Sequence, residues 1–216
     1  ALNLTLAGST AVTLVDGSTH TGALIMTANN GAAAGMELCG GDGADVLTTS
    51  GNGDVIVGNG GADQITVAIG DNLKIIGGAG ADKFTITGSS STDSVYTVFQ
   101  AAVGDTTNVG VTSGDQFVLN STVSGQAIKF VSTAITLSVG AAPSSQAFIA
   151  KAIQDLGVDE MGWFQYGGNT FIVREGNTNT LAYDAADGDQ VVMIVGLVDL
   201  GTGASYNSSS NILEIN

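Results

Sequence analysis

Aspartate recurs in a fixed glycine-rich context between residues 40 and 85. The stretch GGDGADVLT begins at Gly40, GNGGADQIT begins 18 residues later, and GGAGADKFT begins 19 residues after that. Each copy places one carboxylate, that of Asp45, Asp63 or Asp82, directly before a strand-like segment. Glycines can adopt positive φ angles that turn carbonyl oxygens into a tight turn. Carboxylate and carbonyl oxygens together are the ligands of hard cations, so the pattern predicts cation binding.

The spacing of apolar residues shows how the copies are arranged. The apolar positions advance in steps of nine, nine, ten and nine residues, at Leu47, Ile56, Ile65, Ile75 and Phe84. A nine-residue unit cannot bury its own apolar side chain, but stacked units can share a core. With two units in each coil, Asp45, Asp63 and Asp82 stack on one edge and repel one another unless a cation lies between them. Calcium, which takes six to eight oxygens, suits this edge better than the rigidly octahedral magnesium.

Composition limits the partners of the protein. The chain carries 20 acidic and five basic residues, with a formal net charge of -15. Nucleic acids and anionic membranes are therefore poor partners, because both attract Lys and Arg. Neither a membrane-spanning stretch nor a signal peptide is visible, and the chain begins ALNLTLAGST without Met. We expect the sequence to be a segment of a longer protein.

The sequence predicts an all-β fold, a parallel β-roll or β-solenoid followed by a β-rich region with one helix. Residues 1–39 form solenoid-like N-terminal strands, residues 40–85 the repeat region, and residues 86–216 the C-terminal region. Helical spacing near 144–156 predicts the helix. A hairpin is predicted around 167–169, and either a strand pair or one long bent strand from Gly188. Further strands are predicted from Ile135 and at the C-terminal NILEIN.

Several other residues have both a structural and a chemical interpretation. His20 is interpreted as a solvated turn residue and Cys39 as a structural thiol rather than a nucleophile. An aromatic group is assigned to the C-terminal core, with a sugar-binding platform as the alternative; it comprises Trp163, Phe164, Tyr166 and Phe171. An acidic group at the end of the predicted helix is interpreted as solvated rather than as a general acid/base pair; it comprises Asp155, Asp159 and Glu160.

The three glycine-aspartate stretches resemble the G-G-x-G-x-D-x-U-x nonapeptides of the RTX (repeats-in-toxin) family, which form a calcium-binding parallel β-roll. The resemblance covers about a fifth of the chain. It implies one calcium ion between adjacent coils held by Gly41, Gly43, Asp45, Gly58, Gly60 and Asp63. It implies a second held by Asn59, Gly61, Asp63, Gly77, Ala79 and Asp82. On the opposite edge, a third ion held by Asp54 with Asp71 or Asn72 is left open, since Leu73 replaces the expected carboxylate.

The region after the repeats is more loosely similar to the C-terminal parts of type I-secreted RTX proteins, including bacterial surface-layer (S-layer) proteins. This implies an export signal within the last 60 or so residues. We therefore expect a non-enzymatic, calcium-dependent region of a secreted surface protein that self-associates in a lattice or attaches to a cell-surface component. The alternatives are the secretion domain of a protease or lipase and a glycan-binding module. A single His and the absence of H-E-x-x-H and G-x-S-x-G argue against a catalytic site within this chain.

Overall fold

The computed structural model describes residues 1–7, 12–29, 35–67, 73–87, 97–99, 111, 113–119, 128–136, 144–176, 183 and 188–216. The strands are, in chain order, β1 Leu2–Ala7, β2 Leu14–Asp16, β3 Leu24–Asn29, β4 Glu37–Cys39, β5 Val46–Thr49, β6 Val55–Gly60, β7 Gln64–Val67, β8 Lys74–Ala79, β9 Lys83–Ile86, β10 Thr97–Phe99, β11 Gln116–Leu119, β12 Lys129–Phe130, β13 Glu160–Tyr166, β14 Asn169–Arg174, β15 Gln190–Val195, β16 Ala204–Asn207 and β17 Ile212–Ile215. The helix α1 spans Ser145–Asp155.

The strands form two sheets, and the chain alternates between them along the repeats. The first sheet has the order β1-β3-β5-β7-β9-β11-β17-β16, and the second β12-β13-β14-β15-β10-β8-β6-β4-β2. Pairing is parallel from β1 to β11 in the first sheet and from β2 to β10 in the second. Val46 pairs with Gln64, and Gln64 with Lys83, so two nonapeptides complete one coil. The predicted parallel β-solenoid is confirmed.

The solenoid core is built from the apolar positions of the repeats. Strands β5, β7 and β9 alternate between buried and partly exposed residues, as the period of two in a strand requires. The five apolar side chains predicted to line the axis are all buried: Leu47, Ile56, Ile65, Ile75 and Phe84. Burial of each such side chain contributes about 1.5–3 kcal/mol. Phe84 also stacks on Phe117 of the next strand, with ring centroids 5.2 Å apart.

Both sheets continue past residue 86, where the nonapeptide regularity ends. Strand β11 adds to the first sheet in parallel, and β17 and β16 then close that sheet with antiparallel pairing. In the second sheet β13 and β14 form the predicted hairpin, whose turn residues Gly167 and Gly168 have φ angles of 62° and 84°. Residues 190–195 form one strand. Ile135 and Thr136 lie outside any strand, and the remainder of that predicted strand lies outside the described residues.

Helix α1 agrees with the sequence prediction and covers the outer face of the second sheet. The Ser144 hydroxyl accepts a hydrogen bond from the backbone N–H of Ala147, which caps the helix N-terminus. The buried face packs against β13, β14 and β15; the cluster includes Ile149, Ala152, Ile153, Phe164, Phe171, Val173 and Val191. In the described part of the chain, no helix is long and apolar enough to span a bilayer.

The N-terminal end of the solenoid exposes apolar side chains. Leu2 and Leu14 are 61% and 53% exposed, whereas Leu24 and Met26 of the following strand are buried. A cavity of about 270 Å³ is lined by Leu2, Leu24 and Met26 together with Val15. His20 is exposed and Cys39 is half-buried.

Candidate metal centre

The aspartates of the repeats stack in one column along the entrance to the first sheet. Register places Asp45, Asp63 and Asp82 over one another, directly before β5, β7 and β9. A fourth member, Asp115, directly precedes β11 and continues the column. All four side chains are at most 3% exposed. The stacking predicted from the spacing is therefore present, and it extends one strand further.

Each carboxylate in this column binds the backbone of the preceding coil. Asp45 Oδ1 accepts a hydrogen bond from the backbone N–H of Leu24 at 2.8 Å. The Oδ1 atoms of Asp63, Asp82 and Asp115 accept in the same way from the N–H groups of Asp45, Asp63 and Asp82, at 2.8, 2.9 and 2.9 Å. These charge-assisted hydrogen bonds link the coils to one another. One oxygen of each carboxylate thus has a structural role.

The second carboxylate oxygens divide the column into two kinds. Asp45 Oδ2 accepts a hydrogen bond from the backbone N–H of Gly41 at 2.7 Å. By contrast, Asp63 Oδ2 and Asp82 Oδ2 are buried and have no hydrogen-bond partner. A buried anionic oxygen without a partner is costly, so these two atoms need a proton or a cation.

Glycines lie immediately beside the two unpartnered oxygens. A Cβ atom on Gly58 would collide with Asp63 Oδ2 and with the carbonyl oxygen of Gly77. A Cβ on Gly77 would collide with Asp82 Oδ2. The space that a side chain would fill is therefore lined by carboxylate and carbonyl oxygens. This donor set fits a hard cation such as calcium.

The remaining predicted ligands occupy the same edge, stacked by position in the turns. Gly41 corresponds to Asn59 in the next coil, and Gly43 to Gly61, while Gly60 pairs with Ala79. Some of their carbonyl oxygens accept backbone hydrogen bonds from an adjacent coil. Gly41 O accepts from Gly60 N at 3.0 Å, and Ala79 O accepts from Gly61 N at 2.9 Å. The structure thus brings the predicted residues together, and it shows that two of the carbonyls also serve the sheet.

Within the described ranges, side chains alone do not form a metal site. Among the described residues, no three His, Cys, Asp or Glu side chains converge closely enough to hold an ion. A cation at this edge would therefore depend on backbone carbonyls as well as on Asp63 and Asp82.

Among the residues that the structure describes, the opposite edge carries one aspartate of the same type, Asp54. Asp54 Oδ1 accepts from Met36 N at 2.8 Å, and Asp54 Oδ2 accepts from Gly51 N at 3.0 Å and from the Thr49 hydroxyl. Leu73 occupies the equivalent place in the next coil and is buried. Asp54 therefore closes its own turn through backbone bonds. Asp71 and Asn72, the proposed partners for a third ion, lie outside the described residues.

Burial perturbs the acidity of the unpartnered carboxyls. Desolvation raises the pKa of Asp63 to about 7, and the negative charges of Asp82 and Asp45 add to the increase. Desolvation also raises the pKa of Asp82, although the hydrogen bond from Asp63 N opposes it. Both shifts favour the neutral form when no cation is present.

In EDTA, we expect the free energy of unfolding to decrease as the pH rises from about 4 to about 7. The unfolded state loses the Asp63 proton near pH 3.8 and the folded state only near pH 7, so folding is favoured at low pH. Urea denaturation in EDTA at pH 5 and pH 8 measures the difference. Asp63→Asn should flatten it, because the titrating group is removed. Greater stability at pH 8 than at pH 5 in EDTA would contradict this expectation.

The fourth aspartate was missed by sequence reasoning because 33 residues separate it from Asp82, whereas earlier copies are 18 and 19 residues apart. A signal was nevertheless present. The segments DQITV, DKFTI and DQFVL, at residues 63–67, 82–86 and 115–119, share an aspartate, an amide or Lys, and two apolar residues at alternate positions.

The acidic group near the helix end is paired with cations. Arg174 Nη2 donates to Asp159 Oδ1 at 2.8 Å in a buried pair. Glu160 pairs with Lys129 at 2.5 Å, and Asp155 pairs with Lys151 one helical turn away. The prediction that this group is solvated is therefore wrong for Asp159, which is buried in an ion pair because Arg174 supplies the stabilisation of its charge that water would otherwise provide.

The aromatic group also belongs to the core. Trp163 is buried, and its indole N–H donates to Ser132 O at 2.9 Å. Phe164 and Phe171 stack with centroids 4.9 Å apart, and Tyr166 is half-buried against Phe148. The core assignment is confirmed for Trp163, Phe164 and Phe171.

The fold and this edge define the protein as a parallel β-solenoid with a buried aspartate column. No protein-family model matches the chain, and a search of curated proteins finds no significant match.

Proposed function

We propose that this chain is a calcium-dependent structural and secretion region of an exported bacterial surface protein, of S-layer type. The observation that carries the proposal is the pair of buried, unpartnered oxygens on Asp63 and Asp82 beside Gly58 and Gly77. Asp63, Asp82 and the Gly77 carbonyl would hold the ion. Bound calcium would supply the positive charge that buried carboxylates lack.

The column also explains why cation supply would control folding. Asp45, Asp63 and Asp82 are buried in adjacent coils of a chain whose formal net charge is -15. At the low free calcium of a cytoplasm, repulsion within the column adds to the entropic cost of ordering the coils, and both disfavour the folded state. At external calcium concentrations, near the 10⁻⁴–10⁻³ M dissociation constants of extracellular modules, binding favours the folded state. The chain would therefore pass through a secretion channel unfolded and fold outside the cell.

The assembly role is proposed on different evidence. The N-terminal end exposes Leu2, Leu4 and Leu14, and the first two line an open cavity, an arrangement typical of a surface that another segment or molecule covers. We place the protein at the cell surface, where self-association in a lattice or attachment to a surface component would use such a region. The role is structural rather than catalytic.

Calcium titration of thermal and urea unfolding tests the proposal. We expect each tenfold increase of calcium above the dissociation constant to stabilise the folded chain by about 1.4 kcal/mol for each site. Magnesium at the same concentration should stabilise it less, because it gives up its waters reluctantly. Circular dichroism and the unfolding midpoint in EDTA, calcium and magnesium provide the readout. Identical midpoints in EDTA and millimolar calcium would refute the proposed function.

A further inference from the structure

The three glycine-aspartate turns are not equivalent, although their sequences follow one pattern. In the turns 58–63 and 77–82 the second and fourth residues have left-handed φ angles; these are Asn59 (75°), Gly61 (114°), Gly78 (105°) and Gly80 (136°). In the turn 40–45, Gly41 and Gly43 lie outside that range. The first turn therefore has a different backbone conformation.

The difference follows from what lies beneath each turn. The turn 58–63 packs on the glycine-aspartate turn 40–45, where the carbonyl of Gly41 accepts a hydrogen bond from Gly60 N. The first turn instead packs on residues 17–22, where Asp42 N donates to His20 O at 2.9 Å. Gly43 there lies against the backbone of Gly22. The neighbouring coil thus sets the direction in which backbone N–H groups point.

The first turn uses its own aspartate to satisfy the backbone. Asp45 accepts from Leu24 N at 2.8 Å and from Gly41 N at 2.7 Å, one bond to each oxygen. The Gly41 N–H directs positive charge at Oδ2, where a cation would otherwise bind. Asp54 on the opposite edge shows the same arrangement, with Met36 N and Gly51 N as donors. Both carboxylates are partnered in the absence of metal.

In the next two turns the second carboxylate oxygen of the aspartate has no hydrogen-bond partner. Asp63 and Asp82 are each 1% exposed, and their Oδ2 atoms face Gly58 and Gly77. Equivalent atoms of adjacent strands repeat about every 4.8 Å, about twice the 2.3–2.6 Å calcium–oxygen distance. Two carboxylate oxygens and the Gly77 carbonyl are thus available to one ion between these two coils.

We infer that the cation requirement is confined to the Asp63–Asp82 pair, and that Asp45 closes its turn without metal. The inference rests on the proposed calcium function and departs from the equal use of all three repeats that the RTX resemblance implies. It divides the solenoid into two parts. The described residues within 12–57 belong to coils that do not need calcium, and those within 58–87 belong to coils that do.

Three matched substitutions in the full chain test this inference: Asp45→Asn, Asp63→Asn and Asp82→Asn. Isothermal titration with calcium chloride should show at least a tenfold loss of affinity for the second and third variants and less than a twofold change for the first. In EDTA at pH 8, the stabilities of the Asp63→Asn and Asp45→Asn variants should change in opposite directions relative to the unmodified chain. Asp63→Asn should raise Tm by removing a buried charge, and Asp45→Asn should lower it by setting an amide N–H against the Gly41 N–H.

Hydrogen exchange of the unmodified chain gives a second measurement that does not depend on variant folding. On transfer from calcium to EDTA, peptides within 58–87 should lose protection, while peptides within 35–57 should retain it. Uniform loss of protection, or an Asp45→Asn variant that loses as much affinity as Asp63→Asn, would overturn the inference while leaving the proposed function intact. Absence of calcium binding by the unmodified chain would instead refute the proposed function.

Discussion

Replacement of Gly58 by alanine is expected to lower the free energy of unfolding by about 3 kcal/mol, at the upper end of overpacking costs, and to remove the calcium response. The new Cβ would occupy the space between Asp63 Oδ2 and Gly77 O. Neither neighbour can retreat easily, since Asp63 Oδ1 is held by Asp45 N and the Gly77 carbonyl belongs to β8. Urea denaturation with and without calcium measures both effects.

Gly60→Ala is the matched control, two residues away in the same turn. A Cβ there would meet Asp42 Cα at 3.6 Å, an ordinary van der Waals contact, and the residue is only half-buried. This variant should keep the calcium response. If Gly58→Ala and Gly60→Ala respond equally to calcium, the space beside Asp63 is not the cation site.

The second large effect is expected from Arg174→Ala, at about 3–5 kcal/mol of lost stability. The guanidinium is fully buried; Nη2 donates to Asp159 Oδ1 at 2.8 Å and Nη1 to Gly188 O at 3.0 Å. Its removal leaves Asp159 as a buried carboxylate that has lost its counter-ion. The pair joins strand β14 to the residue just before β13, so its loss weakens the sheet that α1 covers. Chemical denaturation at neutral pH measures the cost.

Two comparisons isolate the buried charge. Lys151→Ala removes an exposed pair on α1 and should cost less than 1 kcal/mol. The double variant Arg174→Met with Asp159→Asn should be more stable than Arg174→Met alone, since no unpaired charge then remains. A double variant that is less stable than the single one would show that the ion pair is not the source of the effect.

The solenoid fold could be predicted because the same spacing of apolar residues recurs in successive repeats. The nine-residue steps from Leu47 to Phe84 fix which side chains face the core, and the 18- and 19-residue spacings fix the register. The helix could also be predicted, because Ser144 supplies an N-cap before an apolar stripe. Local periodicity was sufficient for these elements.

The hydrogen bonding of the aspartates could not be predicted from the local sequence. Whether the second oxygen of an aspartate receives an N–H depends on peptide orientation in the turn, and that depends on the coil beneath. Nothing in GGDGAD and GGAGAD distinguishes Asp45 from Asp82 in this respect. Likewise, the pairing of Asp159 with Arg174 required the antiparallel register of β13 and β14.

The two ends of the solenoid differ, and this gives the molecule a direction. Antiparallel strands β16 and β17 end the first sheet on one side, where Leu213 and Ile215 of β17 are buried. At the other end β1 and β2 are the terminal strands of the two sheets, beside the cavity lined by Leu2 and Leu4. Further parallel coils can therefore pair with β1 and β2 without disrupting the strand pairs of the repeats. Designed lengthening of this scaffold by repeat duplication should proceed from that side.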